Sequence, residues 1–177
     1  MNADELLALM ERANLVLRLL VAALIGAVLG FDRERKDKPA GLRTHMLVAL
    51  GSATFVLLGF EVGVQIDAHD DEQRFDPTRV LQGVVGGIGF LGAGSIIQAR
   101  GQVSGVTTAA SVWVAGAVGA AAGMGAYGIA IVATVLSVLI LSALYRLERK
   151  LRPNGPPGSK SDEGESDPDL RGSSGAK

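Results

Sequence analysis

Apolar residues in this chain are gathered into long runs instead of being interleaved with charge. Four runs, roughly 46–60, 80–99, 101–124 less its flanks and 126–145, carry no charged side chain at all. A hydrocarbon core of about 30 Å takes about 20 helical residues. Runs near that length, bounded by charge or by Gly/Pro turns, predict five spans: Asn14 to Phe31, Thr44 to Val62, Arg79 to Gln98, Gly105 to Met124 and Ala126 to Tyr145. The expected fold is all-α, a polytopic membrane bundle of five transmembrane helices. Residues 1–13 form a short N-terminal segment, 14–152 the membrane domain, and 153–177, rich in Pro, Gly, Ser and acid, a disordered cytoplasmic tail that cannot bury a core.

Charge fixes the expected direction. Arg33, Arg35, Lys36, Lys38 and Arg43 crowd the link after the first run, and Arg146, Arg149, Lys150 and Arg152 follow the fifth. By the positive-inside rule both lie in the cytoplasm. The link 63–78 instead carries Asp67, Asp70, Asp71, Glu72 and Asp76, and the N-terminus Asp4, Glu5 and Glu11, so both face outward. An odd number of spans demands termini on opposite sides, which agrees with an outer N-terminus, a cytoplasmic C-terminus and Arg100 in an inner turn. The leading segment is acidic and no small-residue cleavage site follows, so the first run reads as a retained span and not a signal peptide. Arg18, one turn inside its outer end, is expected to snorkel to the headgroups.

Composition removes much chemistry. The 177 residues are 48% hydrophobic and 20% charged, with 24 glycines, two histidines and no cysteine. Disulfides, thiolate metal sites and cysteine nucleophiles are thereby excluded, and two histidines make a poor zinc cage. His45, beside the basic link, and His69, in the acidic one, are expected to be solvated. Gly87, Gly89 and Gly92 spell G-x-G-x-x-G, but no strand precedes them and no acidic residue follows at the ribose-binding distance, so a dinucleotide site is not expected. In lipid, small residues instead let helices approach closely. Gly26/Gly30, Gly83/Gly87 and Gly119/Gly123 stand in G-x-x-x-G register and predict tight packing or a homo-oligomer. A sharper alternative is that Gly89, Gly92 and Gly94, with Gly87, loosen the third helix into an ion-passage segment.

Three blocks, GFDRERKDKPAGLRTHMLVALG (Gly30–Gly51), GGIGFLGAGSI (Gly86–Ile96) and GVTTAASVWVAGAVGAAAG (Gly105–Gly123), resemble the MgtC/SapB family of bacterial inner-membrane proteins over roughly residues 14–146. Here Asp32 stands where the family usually has Glu beside Arg33, and Thr107 where some members have Asn. The resemblance implies a five-span protein tied to adaptation to low magnesium, survival inside host cells and modulation of a membrane ATPase. ATP hydrolysis itself is not expected, because no phosphate-binding G-x-x-x-x-G-K-[ST] loop is present. No enzymatic activity, resident cofactor or nucleic-acid partner is expected; magnesium enters only as a ligand or transported ion, and the partners are lipids and membrane proteins.

On the expected topology Asp32, Arg33, Arg43, Thr44, Ser95, Thr107 and Thr108 gather toward the cytoplasmic side. Thr44 and Ser104 are placed to cap helix starts, and Asp32 with Arg43 is the favoured ion pair, since a buried arginine needs a carboxylate. The competing reading is a site for an anion, a cation or a partner helix. Trp113 lies too deep for the interfacial belt and is expected to be a buried aromatic, its indole N–H reaching a carbonyl of the third span. Two functions follow: a non-catalytic regulator whose bundle face binds another membrane complex, or a transporter for magnesium or a similar ion. Magnesium prefers carboxylate oxygens and sheds water reluctantly, and carboxylates occur only at span ends, at Asp32 and Glu61, which places the regulator first.

Overall fold

The computed structural model describes residues 2–67, 75–99 and 102–151. They form α1 (Ala3–Glu34), α2 (Leu42–Asp67), α3 (Pro77–Gly94), β1 (Ile97–Ala99), β2 (Gln102–Ser104), α4 (Val106–Gly123) and α5 (Tyr127–Leu151). The chain divides into two units, 1–143 and 144–177; of the second, the described part is the end of α5. The tail predicted for 153–177, together with His69, Arg100 and the middle of the acidic link, 68–74, lies outside the described residues.

Each helix boundary has a local cause. α1 starts well before Asn14 because Asp4 and Glu5 sit at the positive end of its dipole, and Glu5 Oε2 accepts the Asn2 amide at 3.0 Å. α2 begins at Leu42, whose amide donates to Glu34 Oε2 at 2.7 Å. α3 opens on the Asp76 cap, which accepts from the Thr78 amide at 2.9 Å, with Pro77 at the first helical position. α4 follows Gly105 at φ +86°, and the turn after its end carries Gly125 at φ +79°. There the Ala126 amide donates to Ala121 O and the Gly125 amide to Ala122 O, the paired bonds of a Schellman turn.

Among the described residues four helices are long and apolar enough to cross a membrane: α1, Leu42–Gln65 of α2, α4, and Tyr127–Leu147 of α5. α3 matches the required length, 18 residues, but its first turns hold Thr78, Arg79 and Gln82, which dilute its apolar character. The third run was expected to stay helical to Gln98. It stops at Gly94, and β1 pairs antiparallel with β2, Ile97 opposite Ser104 and Ala99 opposite Gln102. Successive β-branched residues, Ile96 and Ile97, favour a strand over further helix.

Glycine governs the packing. A Cβ on Gly26 would meet His45 O and Met46 Cα, and one on Gly30 would meet Leu42 Cα, so α1 and α2 touch backbone to backbone. Gly119 and Gly123 do the same against Ala49 and Ala53 of α2. α4 is thus the most enclosed helix, with Ser111, Val112, Ala115, Val118 and Ala122 buried. Leu29 and Ile25 of α1 pack with Ala115 and Val118, while Val84 and Ile88 of α3 pack with Val112 and Val56.

Candidate functional site

Close glycine contacts bring the end of α1, the start of α2 and the start of α4 together, and two polar clusters form there. In the first, Arg33 is 4% exposed and its Nη2 donates to Thr108 Oγ1 at 2.9 Å. His45 is fully buried; its Nδ1 lies 2.8 Å from Gly41 O and its Nε2 3.1 Å from Ser111 Oγ. Because Gly41 O can only accept, Nδ1 carries a proton and donates to it. Ser111 Oγ lies 2.9 Å from Thr108 O, so the chain Arg33–Thr108–Ser111–His45–Gly41 ties three elements through their least hydrated atoms. Arg33 Nε is buried without a hydrogen-bond partner.

In the second cluster Lys36 Nζ donates to Asp32 Oδ1 and Oδ2 at 2.8 and 2.7 Å. Nζ also lies 3.1 Å from Ser142 Oγ and 3.4 Å from Leu141 O, both on α5, while Ser142 Oγ donates to Asp32 Oδ1 at 2.7 Å. The expected Asp32–Arg43 pair is therefore replaced. Lys36 follows Asp32 by one helical turn, whereas Arg43, in the first turn of α2, is exposed.

Of the residues predicted to converge, Arg33 and Thr108 do, and Asp32 joins the neighbouring cluster. Arg43, Thr44 and Thr107 are exposed. Ser95 turns back on Gly92 O at 2.7 Å, and Ser104 Oγ reaches Ile97 O at 3.4 Å across the strand pair instead of capping α4. The α2 start is capped by Glu34 and not by Thr44. Sequence reasoning missed His45, Ser111, Lys36 and Ser142. The signal for His45 was its phase: 45, 49, 53 and 56 form the buried stripe of α2, with Ala49, Ala53 and Val56.

Trp113 is a correction too: it is 48% exposed and borders a shallow groove with Leu81, Val85 and Ile129. α3 runs unbroken through Gly89 and Gly92 to Gly94, so it does not supply a discontinuous helix. Gly92 faces Ala109, while Gly87, Gly89 and Gly94 have open space where a Cβ would stand. Gly83 and Gly87 instead border an apolar groove of about 710 Å³ between α2 and α3, with Leu47, Gly51 and Phe55 opposite. At the other end Arg18 Nη1 donates to Gly123 O at 3.1 Å, closing the last turn of α4. Among the described residues no three His, Asp or Glu side chains assemble as a metal group.

The sequence pattern of the MgtC family matches residues 19–150. The chain is similar to protein SrpB of Synechococcus elongatus, 42% identical over 145 residues, covering 77% of this chain and 78% of that one. It is 37% identical over 139 residues to the putative magnesium transporter YhiD of Escherichia coli K12, covering 78% of this chain and 64% of YhiD. Protein MgtC of Brucella abortus is 44% identical over 125 residues, which are 71% of this chain and 48% of MgtC. The chain thus spans about two-thirds of YhiD and about half of that MgtC. No solved structure matches.

Proposed function

The chain belongs to the MgtC family, and from that premise we propose that it is a bacterial inner-membrane regulator in magnesium homeostasis, acting by contact with another membrane complex such as an ATPase. It catalyses no reaction of its own. All five helices cross the bilayer, α3 included: Ile88 packs on Gly116 and Gly92 on Ala109, so α3 runs beside α4 for most of its length. The end bearing Arg33, Arg35, Lys36, Lys38 and Arg43 faces the cytoplasm, and the N-terminus faces outward.

One observation carries the regulatory reading. The G-x-x-x-G pairs of α1 and α4 are filled by α2, whereas Gly83 and Gly87 of α3, and Gly51 opposite them, meet nothing within 4 Å. A small-residue groove of this kind accepts another transmembrane helix at close range. A transporter is the second reading, favoured by the name of YhiD. Against it, Asp32, the carboxylate nearest the polar core, is closed by Lys36 and Ser142 and offers no vacant oxygen pair to an ion that must be dehydrated.

The test pairs two assays on the full chain. Capture of a membrane complex from native membranes is expected to be lost on Gly87→Leu, with the helical content of the variant intact. Liposomes holding a magnesium-sensitive dye are expected to show no protein-dependent flux. Saturable flux abolished by Asp32→Ala would establish the transporter instead.

A further inference from the structure

Among the described residues that line the apolar groove between α2 and α3, Arg79 alone is charged. It stands in the first turn of α3, exposed, and its guanidinium makes no hydrogen bond or ion pair to any described residue. Asp76, three residues earlier, is committed to the helix cap, where its Oδ1 accepts the Thr78 amide at 2.9 Å and the Thr78 hydroxyl at 2.7 Å. Gly83 and Gly87 follow Arg79 on the same face of α3, about 6 and 12 Å further along the axis. With Gly51 of α2 they leave the groove open where side chains would otherwise stand. A helix laid in this groove therefore meets bare backbone along its length and one positive charge at the end where α3 begins.

We propose that the transmembrane helix this groove accepts carries an aspartate or glutamate one to two turns from its closest approach to Gly83 and Gly87, placed to meet Arg79. The inference rests on the docking reading above and names the chemistry of the partner. With the groove empty, Arg79 can extend to the headgroups and keep its charge in water. A helix seated over the glycines covers the arginine stem and cuts the guanidinium off from that water. Facing an apolar side chain, the charge would then be buried without a counter-charge, a strongly unfavourable state, and Asp76 is already taken up by Thr78. A partner carboxylate removes this penalty and can engage the planar guanidinium through two parallel hydrogen bonds. Shape alone would admit many apolar helices. Arg79 rejects those that lack the acid, and the pair fixes how far along the groove the accepted helix sits.

The probes are synthetic apolar helices of about 20 residues with a central G-x-x-x-G, one bearing glutamate a turn before it and its twin bearing glutamine. The full chain is reconstituted in liposomes at about pH 8, which keeps the glutamate ionised. Energy transfer is read from a dye at Pro39→Cys, the chain having no native cysteine, to an acceptor on the peptide. The glutamate peptide is expected to bind about tenfold more tightly than its twin. Arg79→Gln is expected to erase that preference, and Arg79→Glu to transfer it to a lysine peptide. Gly87→Leu is expected to abolish binding of all three. Equal binding of the glutamate and glutamine peptides, or a preference that survives R79Q, overturns the proposal and leaves the docking reading standing. Binding that survives G87L, or no binding by either peptide, overturns both. Energy transfer between two labelled copies of the chain, lost in G87L, would place a second copy in the groove and overturns the proposal as well.

Discussion

His45 Nε2 and Ser111 Oγ meet at 3.1 Å inside the bundle, joining α2 to α4 where neither side chain has water to fall back on. A buried polar group that loses its partner keeps its full desolvation cost, about 1–3 kcal/mol. His45→Leu removes both side-chain bonds, to Gly41 O and to Ser111, leaving Gly41 O only the residue-45 amide and Ser111 only Thr108 O, and is expected to lower the thermal midpoint in detergent below that of Ser111→Ala, which leaves the Gly41 bond in place. Equal midpoints for the two variants would show that the Gly41 bond contributes little.

Glycine substitutions should divide by what faces them. Gly119→Ala drives a methyl into the Ala49 backbone and is expected to destabilise by about 1–3 kcal/mol, the usual range for overpacking. Gly51→Ala and Gly83→Ala point into open space and are expected to leave the midpoint of the isolated chain unchanged. Thermal melts of the three variants side by side check the contrast.

The α3 start should be sensitive to acid. Hydrogen bonds from the Thr78 hydroxyl and amide hold the Asp76 carboxyl below the usual aspartate range. A group whose folded pKa is depressed adds stability above its unfolded value and loses it as pH falls through the folded one. Exchange of the Thr78 amide is therefore expected to be protected above the ordinary aspartate range and to lose that protection as pH falls below it, relative to the intrinsic rate. In Asp76→Ala the protection should be absent on both sides.

Topology has a direct readout. Pro39→Cys, exposed in the basic link, is expected to resist an impermeant maleimide added to intact spheroplasts and to react once they are permeabilised. Labelling in intact cells would invert the bundle and move both polar clusters to the periplasmic side.

Arg18 donates to the last carbonyl of α4, Gly123 O, where a cation also suits the helix dipole. Arg18→Leu is expected to fray the Gly123–Gly125 turn, seen as faster amide exchange at Gly125 and Ala126. Snorkelling alone would leave those amides unaffected.

How much of this was legible depended on whether a residue's partner lay within one helix or across several. The helices and the basic end follow from apolar runs and from Lys and Arg near their ends, which are local properties. Glycine pairs 26/30 and 119/123 were read correctly as close-packing sites, because G-x-x-x-G register puts both on one face. Asp32 was assigned to Arg43 across the link although Lys36 stood one turn away, so the nearer i,i+4 partner was overlooked. His45 looked solvated because its sequence neighbours are charged; the Ala49, Ala53 and Val56 stripe that buries it was visible but outvoted. The strand pair β1–β2 was hidden because apolar strand and apolar helix read alike over short runs. Trp113 was placed by depth along its helix, which says nothing about the direction in which the ring points.

Glu34 is the final residue of α1, yet its carboxylate closes over Gly41 and receives the Leu42 amide that begins α2. A methyl at position 41 would push the end of the Glu34 side chain aside and so loosen its hold on the Leu42 amide. The loop between the two helices is thereby stapled at its base, so it cannot slacken independently of them. Any protein, lipid or ion that grips the basic turn holds a handle whose pull shears the first two helices as a pair.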